Sequence, residues 1–124
     1  MRWARVVATL VGSGVVVGRG HGDDRGEFLL LVSANVTTGS TLPKPLEIEV
    51  SVSGPTTVPT PATPDLPMLD PLWDLPLEQL AAPGEDDPVA TGAEPPANYT
   101  ANVSRTVEFT LGKCLSGIPD FVIT

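Results

Sequence analysis

The sequence has one cysteine, one histidine and few aromatics: three Phe, two Trp and one Tyr make up 5% of 124 residues. A single cysteine, Cys114, excludes an internal disulfide. A single histidine, His21, excludes any site built on two imidazoles and leaves one candidate base for a nucleophilic triad. No Gly-x-Ser-x-Gly elbow accompanies it. The glycine-rich "GSGVVVGRG" lacks the Gly-Lys-Ser/Thr of a phosphate-binding loop, and no helical pattern follows it. Bases are scarce as well, seven against fifteen acids, with no basic stripe for a nucleic acid to follow. No apolar run approaches the ~18 residues of a membrane span. Residues 1–18 do not follow the order of a signal peptide, because Arg5 interrupts a short, β-branched apolar stretch. The Asn35, Asn98 and Asn102 sequons therefore carry no expectation of glycosylation.

What the chain does have is concentrated. Eleven of its fourteen prolines fall between Pro55 and Pro96, and residues 55–97 hold eight acids with no Lys or Arg. The remaining residues hold seven acids and seven bases, so the net charge of −8 belongs to this one segment. Such a composition predicts an extended, poorly ordered loop. Its centre, "LPMLDPLWDLPLEQLA", is too apolar for a solvated linker. Either this piece packs back on the parent sheet or it docks on another chain, in which case Leu69, Leu72, Trp73 and Leu75 are the expected partner anchors, since ordering segments bind through a few large side chains.

Outside that segment, strand patterns dominate. "LEIEVSVS" alternates Leu46, Ile48, Val50 and Val52 against Glu47, Glu49, Ser51 and Ser53. "VSRTVEFTL" sets Val103, Val107, Phe109 and Leu111, with Arg105, against Ser104, Thr106, Glu108 and Thr110. "RWARVVATL" and "GVVVGRG" are β-rich and joined by the turn "VGSG". "EFLLLVSA" is apolar at every step and is expected to be a central strand covered on both sides. A short end strand near "DFVIT" and about two helical turns in "PLEQLAA" are further expectations. The sum is an all-β chain: one domain, 1–124, an antiparallel immunoglobulin- or transthyretin-like β-sandwich interrupted by the acidic, proline-rich insertion 55–97.

His21 sits in "GHGDDRGEF" beside Asp23 and Asp24. Two adjacent carboxylates and one imidazole on a single turn converge poorly on a metal. The segment reads instead as a structural turn: Asp23 accepts backbone N–H bonds, Gly26 supplies a positive φ, and Phe28 enters the core. Neither a metal nor a cofactor is expected.

"GVVVGRGHGDDRGEFLLLV" resembles the signature of carboxypeptidase-regulatory-like, transthyretin-type β-sandwich domains. In these a strand leads into Asp-x-x-Gly-x-Phe/Tyr, here Asp23, Gly26 and Phe28, and then into an apolar strand. The likeness covers about residues 3–34, and the acidic insertion departs from it. The hydrolases among these relatives need several histidines and a Tyr-Arg-Gly-Ser terminus, and the dioxygenases need two Tyr and two His. This chain meets neither requirement, so the resemblance implies a non-catalytic module. The ending "TVEFTLGKCLSGIPDFVIT" and the Lys-poor, Arg/Val/Ala/Gly-rich composition are similar to small sandwich proteins of bacterial phage-tail-like contractile injection particles. That resemblance implies a structural or adaptor subunit working through protein–protein contacts with other subunits, cytoplasmic until assembled. A carbohydrate- or surface-binding accessory module is the alternative, with Trp3, Trp73 and Tyr99 as its available platforms.

Overall fold

The computed structural model describes residues 2–33, 45–56, 78–110 and 112–122. Among them are four strands and no helix: β1 (Arg5–Leu10), β2 (Val16–His21), β3 (Leu46–Gly54) and β4 (Ala101–Phe109). They form one antiparallel sheet in the order β2-β1-β3-β4. The alternation of β3 and β4 explains their pairing. Ile48 lies opposite Val107 and Val52 opposite Val103, while Glu49 faces Thr106 and Ser51 faces Ser104. Directly opposed residues share a face, so one face of the sheet is apolar and the other polar.

β1 and β2 form a hairpin over Val11–Val15. Gly12 (φ +93°) and Gly14 (φ +69°) take the left-handed conformations that the turn needs. Leu10 N donates to Val15 O at 2.8 Å and Gly14 N to Leu10 O at 3.0 Å. Ala8 pairs with Gly18 but Thr9 pairs with Val16, so Val17 is an extra residue at a bulge. The core on the apolar face is small: Ala4, Val6, Ala8, Val17, Ile48, Val50 and Val52.

Two segments close the apolar face. Residues 28–33 lie across β2, and here the structure differs from the expected central strand. They form no strand: Phe28, Leu30 and Val32 pack on the core, while Leu29 and Leu31 are 76% and 74% exposed. The reason lies in β2. A Cβ on Gly18 would sit 2.6 Å from Leu31 O, and one on Gly20 would sit 3.1 Å from Leu29 O. With no side chains at these two positions, the crossing backbone rests flat on the sheet, tied by Ser33 N to Val17 O at 2.7 Å. A run that is apolar at every step does not distinguish one covered side from two.

The second closing segment is 112–122, which also contains no strand. Arg105 points onto the apolar face and clasps it. Its Nη1 donates to Pro119 O at 2.6 Å and its Nη2 to Asp120 O at 3.4 Å. Its guanidinium lies 5.1 Å from the Phe121 ring centre, and Phe121 meets Phe28 at 6.0 Å.

Residues 78–99 sit at the polar face as a run of turns without helix. This part of the acidic segment differs from the expected extended loop because one of its carboxylates organises it. Asp87, 1% exposed, accepts from Val89 N (2.9 Å), Ala90 N (3.0 Å) and Ala82 N. Pro88 follows with its φ preset, Thr91 N returns to Asp87 O at 2.9 Å, and Gly92 ends the turn at φ +77°. Burial pushes the Asp87 carboxyl up, but these N–H bonds outweigh it and hold it below the usual range. Val89, Pro96 and Tyr99 are buried with it.

Candidate functional site

Both faces of the sheet carry features with chemical potential. At the polar face there is a cluster around Glu78. The β1–β2 register places Arg5 directly opposite His21. Arg5 Nε donates to Glu78 Oε1 at 3.0 Å and Nη2 to Oε2 at 2.5 Å, a two-pronged ion pair across 73 residues of chain. Tyr99 OH lies 3.2 Å from both Glu78 Oε1 and Trp3 O, and its one proton is shared between them.

These contacts fix the charge states. Burial raises the Glu78 carboxyl, but hydrogen bonding and attraction from Arg5, with smaller help from His21 and Tyr99, bring it below its ordinary value. The Arg5 guanidinium is raised in turn, chiefly by the bond to Glu78. Tyr99 is pushed up to about 12, first by burial and then by the Glu78 charge. At neutral pH Glu78 is therefore an anion and Tyr99 a neutral phenol, so neither is poised to exchange a proton.

His21 lies at the rim of this cluster. Its Nδ1 is 3.1 Å from Gly22 O and its Nε2 is 3.3 Å from Glu78 Oε1. Both neighbours are acceptors. A neutral ring donates to one of them, and the imidazolium donates to both.

Asp23 turns away from His21. Its Oδ1 accepts from Arg25 N at 2.9 Å and Glu27 N at 2.8 Å, and its backbone O accepts from Gly26 N at 3.1 Å. The backbone bond from Glu27 leads in holding its carboxyl below the ordinary value. Gly26 has φ +81°, and Phe28 packs half-buried against the core. Among the described residues, no three His, Cys, Asp or Glu stand close enough to hold a metal. The segment also supports the entry to β1. Trp3, at φ +59°, donates its N–H to Asp23 O at 3.1 Å.

On the apolar face, between the sheet and the two crossing segments, lies a part-open cavity of about 410 Å³ lined by Leu30, Val32, Ile48, Val107, Phe109 and Leu115, among others, next to a wider cleft of about 920 Å³ bounded by Phe28, Leu115 and Phe121. Lys113 and Cys114 also line the cavity. Leu29 and Leu31 form an exposed ridge beside it, and Leu115 (44%) and Val122 (69%) extend the apolar surface.

The expected partner anchors Leu69, Leu72, Trp73 and Leu75 lie outside the described residues. Sequence reasoning gave Arg5, Glu78 and Arg105 no functional part, and took Tyr99 only as a platform of the carbohydrate-binding alternative. Glu78 looked like one more solvated acid of an acidic segment. Arg105 alone carried a signal, a cation on the apolar side of an alternating strand.

No protein-family model matches the chain, and neither a curated protein nor a solved structure matches it.

Proposed function

We propose that the chain is a non-catalytic structural or adaptor module acting through protein–protein contacts, and that its contact surface is the apolar face. One observation carries this reading: Leu29 and Leu31 stand 76% and 74% exposed, side by side on an extended segment whose backbone is held from below by Gly18 and Gly20. Large exposed apolar side chains on a supported scaffold are what an interface core is made of. In this reading 28–33 and 112–122 cover the face on which a β-sandwich carries its second sheet, and Leu69, Leu72, Trp73 and Leu75 supply further anchors. The state of the polar cluster supports a non-catalytic role, because Arg5, Glu78 and Tyr99 are committed to one another. Tyr99 is buried and Trp3 half-buried, which favours a protein partner over a carbohydrate. Following the resemblance of its composition and ending, the assembly proposed is a phage-tail-like contractile injection particle.

The test is co-purification from the native source of wild type and of the double variant Leu29→Asp/Leu31→Asp. Both side chains are exposed, so the variant should keep its fold. Loss of stoichiometric subunits supports the reading. An unchanged complex contradicts it.

A further inference from the structure

The cavity behind the Leu29–Leu31 ridge has the volume and lining of a small-ligand site. Pockets that hold small molecules span roughly 300–1,000 Å³ and combine apolar walls with very few polar groups, and this one, part-open, measures about 410 Å³. Its floor is the rigid part of the molecule: Ile48 and Val50 are buried in the centre of the sheet. Phe28, Leu30 and Val32 wall one side, and Leu115 and Ile118 wall the other. Lys113 is the one charged residue among those lining it. Its backbone is fixed by a turn in which Gly112 takes φ +77° and Lys113 N donates to Thr110 O at 3.1 Å. Its ammonium has no ion-pair partner among the described residues. In a chain of net charge −8, an apolar cavity whose one charged lining residue is a cation, unpaired among the described residues, selects for one kind of amphipath.

We infer that this cavity binds the alkyl chain of a medium-chain, singly anionic amphipath, a fatty-acid-like molecule, with its carboxylate at Lys113. The chain would gain from burial against the sheet, and the head from a charge-assisted bond at the mouth. The inference does not rest on the adaptor reading, since it concerns the isolated chain and needs no protein partner.

Cys114, exposed, at the rim and the sequence's one cysteine, reports occupancy directly. The experiment follows the rate of Cys114 alkylation by iodoacetamide in the full chain, against decanoate kept below its micellar range. Saturable, several-fold slowing is expected. Decanol, with the tail but no charge, should bind about tenfold more weakly, the effect of losing roughly 1.5 kcal/mol of charge-assisted bonding. Lys113→Gln should weaken decanoate by the same factor and leave decanol unchanged. Acetate, with the head but no tail, should give no protection. Val107→Trp, which fills the chamber, should abolish protection by decanoate. Leu115→Trp at the exposed mouth provides the same block if Val107→Trp does not fold. Absence of saturable protection, equal protection by decanoate and acetate, or equal affinity for decanoate and decanol would each overturn the inference. So would full binding by a folded cavity-filling variant.

Discussion

The two faces of one four-stranded sheet are closed by different chemistry. At the polar face, a run of turns is held by directional bonds. Glu78 is gripped by Arg5 and flanked by Tyr99 and His21, and Asp87 is capped by three backbone N–H groups. On the apolar face, two segments lie on Val and Ile side chains, with one clasp at Arg105 and a cavity left between them. Directional closure satisfies its own groups and offers little to a partner. Apolar closure by thin segments leaves large side chains outside and room beneath. That contrast is why we propose the apolar face as the contact surface.

The largest effect of a substitution should come from the apolar core. Ile48 is almost fully buried in the centre of the sheet. Ile48→Ala should cost about 3 kcal/mol in transfer free energy and cavity. The loss should appear in urea melts and be independent of pH between 5 and 9, because no titratable group is involved. In a domain this small such a loss threatens folding itself.

Gly26→Val should follow at about 1–3 kcal/mol. Gly26 holds φ +81°, where a β-branched side chain clashes with its own backbone. The same urea melts report it. His21→Ala, a few residues away on an exposed rim, should stay within about 0.5 kcal/mol.

Arg5→Met should cost about 1–2 kcal/mol. That value lies between an exposed and a buried ion pair, because the Arg5 and Glu78 side chains remain 20% and 26% accessible. Unlike Ile48→Ala, this loss should depend on pH. The folded Glu78 value lies below its unfolded one, so its contribution is complete above roughly pH 4.3 and is lost as pH falls through the folded value. Tyr99 behaves in the opposite sense. Its folded value of about 12 exceeds the unfolded value of roughly 10. Its contribution is complete below pH 10 and is lost between 10 and 12. Urea midpoints against pH should therefore fall at both extremes in wild type. Glu78→Gln should blunt the acid limb, and Tyr99→Phe the alkaline one. Limbs unchanged in both variants would contradict the assignment.

Much of the sheet was legible in the chain because its signals are local. Leu46, Ile48, Val50 and Val52 alternate with acids and serines, and period-two alternation needs no distant partner to be read. Gly12 and Gly14 mark the β1–β2 turn for the same reason. The rest depends on contacts that composition does not carry. The apolar run from Phe28 to Val32 looks buried on both sides, and only the bare backbone at Gly18 and Gly20 lets it lie on the sheet with two leucines outside. Arg5 and Glu78 meet across 73 residues, and nothing near either position names the other. Asp87-Pro88-Val89-Ala90-Thr91-Gly92 did carry a local signal, an acid before Pro and a closing Gly, submerged in a segment whose overall composition pointed to an extended loop.

We propose that the apolar face makes contacts with other subunits while the polar face stays internal. Amide hydrogen exchange of the isolated chain, compared with the chain in its native complex, tests it most directly. Added protection should fall on residues 28–33 and 112–122, with 78–99 unchanged. Added protection on 78–99, with 28–33 exchanging as in the isolated chain, would contradict it.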